Sequence, residues 1–159
     1  MEYVCELKLD GMSLALWYRD GALDKGVTRG DGYTGEDVTG NVRTIKSVPL
    51  SIALPELKKS GLPRGFEVRG EVIMPIAAFD RMNDEREQQG LARFANPRNA
   101  AAGTIRVLEP NIVAQRRMDF FSYFALKADG TDAFDKHSDA LTALSRAGFK
   151  VNPDRKSVV

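Results

Sequence analysis

Apolar and polar positions alternate along this chain with two periods, and the changes of period mark its elements. Residues 3–9 (Y-V-C-E-L-K-L) are dense in apolar and β-favouring side chains and predict a strand, with Glu6 and Lys8 on one face. Asp10 joins that face if the strand runs on. Residues 13–19 and 22–28 flank Asp20-Gly21, a two-residue hairpin signal. Such an antiparallel start predicts that Lys8 stands on a sheet rather than on a mobile loop. Residues 66–73 (F-E-V-R-G-E-V-I) alternate as a further strand. Pro75 then opens a helix that puts Ile76, Phe79 and Met82 on one face and ends near Gly90. Asn96-Pro97 reads as an N-cap followed by proline at the first helical position, although Gly103 and Thr104 weaken the helix they start. Residues 119–126 (D-F-F-S-Y-F-A-L) predict a buried strand, and Ala140, Leu141, Leu144 and Ala147 an amphipathic helix stopped by Gly148. Phe120, Phe121, Phe124 and Leu144 are therefore core candidates. This order of elements predicts an α+β fold with mainly antiparallel sheets and flanking helices.

Composition narrows the classes. With 43% apolar and 28% charged residues the chain is neither disordered nor membrane-spanning in character, and 159 residues suffice for one domain with a real core. No apolar run reaches the length of a membrane helix, and no secretory pattern opens the chain, so a cytoplasmic location is expected. One cysteine, Cys5, excludes an internal disulfide framework, and with the single histidine, His137, it cannot build a cysteine-rich zinc site. Cys5 is expected as a small buried strand residue and His137 as a surface residue near a helix. The net charge is only +1, but residues 91–117 hold five arginines (Arg93, Arg98, Arg106, Arg116, Arg117) against one acid, Glu109. Such a segment either meets phosphates or forms a solvated basic face.

The candidate chemistry centres on Lys8 in C-E-L-K-L-D-G. A lysine attacks phosphorus only through its neutral amine, so partial burial or neighbouring cations are expected to lower its pKa. Gly11 leaves room for a nucleotide to approach the backbone. The same four-residue K-x-D-G pattern also recurs in solvated turns. Residues 28–40 (T-R-G-D-G-Y-T-G-E-D-V-T-G) are dense in glycine, which marks backbone at positive φ or against a ligand, and no G-K-[ST] follows to make a P-loop. Glu6, Asp10 and Glu71 are carboxylates suited to ribose hydroxyls or to a metal's water shell. Arg98, in the first turn of its helix, faces the positive end of the macrodipole, an arrangement that makes most sense with a phosphate between side chain and amides. Arg106 lies eight residues on, close enough to share that surface if the helix continues.

Taken in order, C-E-L-K-L-D-G, T-R-G-D-G-x-T-G-E-D-V-T-x-N-V-R-T-I, E-V-R-G-E-V and F-A-N-P-R-N-A-A-A-G-T-I-R resemble the adenylation domain of bacterial NAD-dependent DNA ligases. The resemblance runs from the first residues past Arg106, and more loosely through R-R-M-D-F-F-S-Y to the last helix. It implies a nucleotidyltransferase (ATP-grasp-like) fold. It implies that Lys8 takes AMP from NAD as a lysyl-AMP phosphoramidate, with Asp10 as the motif acid beside it. Glu6, Arg29 and Glu71 match positions that contact NAD and adenylate, and Arg98 and Arg106 match arginines near the AMP and the nick phosphates. The implied partners are NAD, magnesium and nicked double-stranded DNA, in replication and in the repair of DNA damage, with no membrane and as a monomer.

ATP-dependent ligases and capping enzymes share K-x-D-G but usually carry arginine five residues after the lysine, where Ser13 stands here. That disfavours a lysyl-nucleotide enzyme using a triphosphate. A non-catalytic nucleic-acid module would have no need of Glu6, Lys8, Asp10, Arg29 and Glu71 together. Against the family's pattern the chain reads as a partial adenylation domain spanning residues 1–159. The upstream helical segment and the downstream pocket motifs, oligonucleotide-binding fold, zinc site and BRCT regions are expected outside it.

Overall fold

The computed structural model describes residues 3–158. The elements run β1 (Tyr3–Glu6), β2 (Met12–Arg19), β3 (Ala22–Thr28), α1 (Thr39–Val42), α2 (Leu54–Ser60), β4 (Gly65–Ile73), α3 (Ile76–Gln88), α4 (Pro97–Ile105), α5 (Pro110–Gln115), β5 (Asp119–Lys127), α6 (His137–Arg146) and β6 (Arg155–Val158). Strands β3-β2-β4-β5 form one sheet in that spatial order, and β1 pairs with β6 in a second. All these pairings are antiparallel, as the hairpin signal and strand-rich start led one to expect. Asp20 and Gly21 close the β2–β3 hairpin with φ of 49° and 81°, the double left-handed geometry that matches the twist of the flanking strands.

The four-stranded sheet is two-faced. Leu14, Leu16 and Tyr18 of β2, Phe66, Val68 and Val72 of β4 and Phe120 of β5 point into one core, where the helices cover them. Ser13, Glu67, Arg69, Glu71, Phe121 and Tyr123 occupy alternate positions that open onto the other face. Helix α6 lies on β5 through Ala140, Leu141, Ala143 and Leu144. Tyr18 stacks on Phe66 at 4.9 Å and donates its hydroxyl to Pro49 O at 2.6 Å, and burial pushes its phenol far above the usual range.

Several expectations are corrected. Cys5 is exposed, because β1 belongs to the small two-stranded sheet and not to the core. On α3 the buried residues are Ala78, Met82 and Asn83, while Ile76 is 73% exposed. Ile76 stands about 200° around the helix from Ala78 and about 120° from Met82, so the three apolar positions read as one face do not share it. Helix α4 survives Gly103 and Thr104 as far as Ile105: Gly103 packs close to the Phe94 ring and Thr104 is buried. Asn96 is its N-cap, accepting from the Asn99 amide at 2.8 Å. Short α1, α2, α5 and β6 have too few residues to show a period and are found only in three dimensions.

Candidate active site

Lys8 does not stand on a strand. Strand β1 stops at Glu6, opposite Arg155 of β6, because the next residues of the facing chain are Asn152-Pro153-Asp154. Proline has no N–H to continue the ladder, and the Asp154 amide is turned onto Asn152 Oδ1 at 3.0 Å. Asn152 Nδ2 instead donates to Leu7 O at 2.8 Å. At the far end of the link, Gly11 is packed so closely on the Val72 carbonyl that a Cβ would lie 2.1 Å from its oxygen. Lys8 therefore sits on a short connection fixed at both ends, which achieves what a strand was expected to do. Gly11 is required by this protein's own backbone and not by the approach of a nucleotide. Lys8 is exposed, so the partial burial expected of it is not found.

The link forms one wall of a cleft of about 460 Å³ on the open face of the sheet. Glu6 enters from β1, Lys8 and Asp10 from the link, Arg29 from the end of β3, Glu71 from β4 and Arg98 from α4. Six of the seven residues singled out in the sequence thus meet in one place. Arg106 lines neither this cleft nor the recess beside it. It pairs with Glu36 at 2.6 Å, because α4 ends at Ile105 and Arg106 turns away as the C-cap.

The carboxylates are individually held. Ser13 Oγ donates to Glu71 Oε2 at 3.0 Å, across the β2–β4 register that sets the two residues opposite each other. The Tyr123 hydroxyl donates in turn to Ser13 Oγ at 3.4 Å. Asp10 Oδ1 lies 3.7 Å from Arg98 Nη1, with both side chains more than half exposed. Such a pair contributes little to stability and leaves the guanidinium free to exchange its partner for a phosphate. Arg98 at the start of α4 thus meets a carboxylate of the Lys8 link, which brings the two motifs together.

A second recess of about 520 Å³ continues the first across the sheet, lined by Ser13, Trp17, Arg29, Tyr33, Glu67 and Arg69 among others. Its rim is the glycine-rich segment, where Gly30 and Gly32 take φ of 56° and 96°. Hydrogen bonds from the Thr34 amide (2.7 Å), the Tyr33 amide (2.9 Å) and the Thr34 hydroxyl (3.1 Å) hold the Asp31 carboxyl below the usual carboxylate range. Gly35 abuts the Thr28 carbonyl, where a Cβ would lie 2.0 Å from the oxygen. The glycines of this segment therefore serve tight turns and backbone contact within the chain.

The cleft also contains residues assigned elsewhere by the sequence. Phe121, Tyr123 and Phe124 line it, and Phe124, expected in the core, is 47% exposed. The cause is a bulge in β5: Ser122 pairs with Gly70 and Phe124 with Arg69, so Tyr123 is an extra residue. Beyond it the parity of the strand is inverted, which turns Phe124 to the open face and Ala125 to the core. His137, expected as a surface residue, also lines the cleft and lies with Nε2 2.9 Å from Glu6 Oε2. Strict alternation in D-F-F-S-Y-F would have placed Phe121 and Tyr123 opposite Phe120; no local signal marks Phe124, His137 or Asn152.

Residues 1–159 match the family described as NAD-dependent DNA ligase adenylation domain. The chain belongs to that family. It is 66% identical over 155 residues to a DNA ligase of Acidobacterium capsulatum, 60% over 155 residues to one of Koribacter versatilis and 54% over 150 residues to one of Solibacter usitatus. These alignments take in 94–98% of the chain but only 22–23% of each relative, so the chain spans under a quarter of the length of the ligases it matches. No helix among the described residues is long and apolar enough to cross a membrane. Nor, among them, is any group of three or more His, Cys, Asp or Glu side chains placed to hold a metal ion. Magnesium is usually held by one or two carboxylates together with substrate phosphates and water, so the implied ion does not require such a group within the chain.

Proposed function

We propose that this chain is the nucleotidyl-transfer module of an NAD-dependent DNA ligase, with a nucleotidyltransferase fold. The observation that carries the reading is the convergence of Lys8, Glu6, Asp10, Arg29, Glu71 and Arg98 on one cleft from five separate parts of the chain. In this reading the neutral Lys8 Nζ attacks the α-phosphorus of NAD. A P–N bond forms, the bond to the bridging pyrophosphate oxygen breaks, and nicotinamide mononucleotide leaves while the amine loses its proton. Arg29 and Arg98 face the phosphates, where fixed cations stabilise charge that develops during transfer. Glu6, Glu71 and Asp10 are acceptors for the hydroxyl and amine donors of the adenosine half. Phe121, Tyr123 and Phe124 offer apolar faces and edges to the base. A 5′-phosphate oxygen at a DNA nick then takes the AMP from Lys8, and the adjacent 3′-hydroxyl displaces AMP to close the backbone. The module works within a longer, monomeric, cytoplasmic enzyme of replication and repair; the small share of each relative's length that the chain spans supports its being part of a longer polypeptide.

The test is intact-mass analysis of the full-length enzyme after incubation with NAD or with ATP. One AMP gained from NAD, mapped to Lys8, is the expected outcome. An adduct formed from ATP alone would overturn the cofactor assignment.

The two arginines of α4 and its C-cap give a second test. Arg98→Ala and Arg106→Ala, each in the full-length enzyme, are expected to slow AMP transfer to nicked DNA by about tenfold or more, the scale of a lost charge-assisted contact. NAD binding should weaken less in both. Normal transfer to DNA in either variant would leave that arginine with only its ion pair, to Asp10 or to Glu36.

A further inference from the structure

We propose that His137 is a positioning residue for nucleotide binding, holding the Glu6 carboxylate ready as an acceptor in the cleft; this rests on the reading of the cleft as the NAD site. His137 is the first residue of α6, far from Glu6 in sequence, and its Nε2 lies 2.9 Å from Glu6 Oε2. A carboxylate can only accept, so Nε2 carries the proton whatever the charge of the ring. The contact is partly shielded, with 32% of the His137 side chain and 19% of the Glu6 side chain exposed. The ring is also held from the side: Phe124 meets it at 5.5 Å and 66°, and Tyr123 meets Phe124 at 5.4 Å and 80°. The β5 bulge that turns Phe124 out of the core thereby supplies the wall against which His137 rests.

The bond uses one carboxylate oxygen. Glu6 Oε1 has no hydrogen-bond or ion-pair partner among the described residues. A free glutamate side chain has three rotatable bonds, whose freedom would be lost on binding a nucleotide. His137 removes that freedom beforehand and leaves Oε1 to accept an N–H or O–H donor of the adenosine half. Preorganisation of this kind acts on binding more than on the chemical step.

The experiment measures NAD-dependent self-adenylation of the full-length enzyme as wild type, His137→Ala, His137→Gln, Glu6→Ala and Glu6→Ala/His137→Ala, with a thermal melt of each. His137→Ala is expected to raise KM for NAD about tenfold, the scale of one lost hydrogen bond to a charged group, with a much smaller change in kcat. Glutamine places an amide N–H near the position of Nε2, so His137→Gln should recover most of the loss. In the Glu6→Ala background, removing His137 should cost nothing further, since its only role has gone. Should Glu6→Ala adenylate too slowly to measure, the same cycle is read from NAD affinity by calorimetry. An unchanged KM in His137→Ala, a His137→Gln variant as impaired as the alanine, or losses that add in the double variant would each overturn the proposal. Failure of the wild type to take AMP from NAD would sink the reading of the cleft itself; normal wild-type adenylation with an additive cycle sinks only the role of His137.

Discussion

Replacing Lys8 with alanine in the full-length enzyme is expected to abolish covalent AMP uptake from NAD while leaving the closure of nicks that already carry a 5′-AMP. The asymmetry follows from where the lysine acts. In the proposed mechanism its amine forms and then surrenders the P–N bond, so the first two steps would require it, whereas the last would be an attack by the DNA 3′-hydroxyl. Loss of a covalent nucleophile lowers the step that uses it by at least about a thousandfold. Sealing of pre-adenylated DNA should fall far less, because Arg29, Arg98 and Glu71 still line the cleft. The measurement is a pair of single-turnover assays, one with NAD and an unmodified nick and one with a pre-adenylated nick. Covalent AMP on the variant would show that another residue is the nucleophile. A loss of equal size in both assays would mean that Lys8 supports the site's structure and not only its chemistry. Because the link is fixed by the Asn152 side chain on Leu7 and by Gly11 on Val72, alanine at position 8 removes the amine without removing what holds the backbone.

The second large effect is structural and lies at Gly70. A Cβ there would stand 2.3 Å from the Phe120 ring and 2.5 Å from the Phe121 carbonyl, in the middle of β4. Neither neighbour can yield cheaply: Phe120 is wholly buried, and the Phe121 carbonyl belongs to the strand paired with β4. Gly70→Ala is therefore expected to destabilise the adenylation domain by about 3 kcal/mol, the upper part of the range for forcing extra volume into a packed core. The mutation also threatens function through its neighbour, since Glu71 faces Phe121 across the same pair of strands. Urea unfolding of the variant and the wild type in the same polypeptide context measures the difference. An unchanged midpoint would show that β5 can move away freely. The group that crowds Gly70 is the chain's own neighbouring strand, β5.

What the sequence determined by itself was whatever depends on neighbours within a few residues, together with the ordered set of motifs. The Asp20-Gly21 hairpin, the β4 alternation, the Asn96-Pro97 start of α4 and the apolar face of α6 were all legible, because caps, turns and periods are local physics. The motif set likewise pointed to the family and to six residues that share a cleft. The tertiary structure alone decided the remainder. Lys8 left the expected strand because Asn152-Pro153-Asp154, from the far end of the chain, could not extend the pairing. Phe124 left the core because one unpaired residue, Tyr123, inverted the parity of β5, and a bulge depends on the partner strand as much as on its own sequence. His137 came to Glu6 because α6 packs on β5, a contact no period along the chain can encode. Arg98 and Arg106, alike in the sequence, were separated by the end of a helix: one faces Asp10 in the cleft, and the other turns away to Glu36.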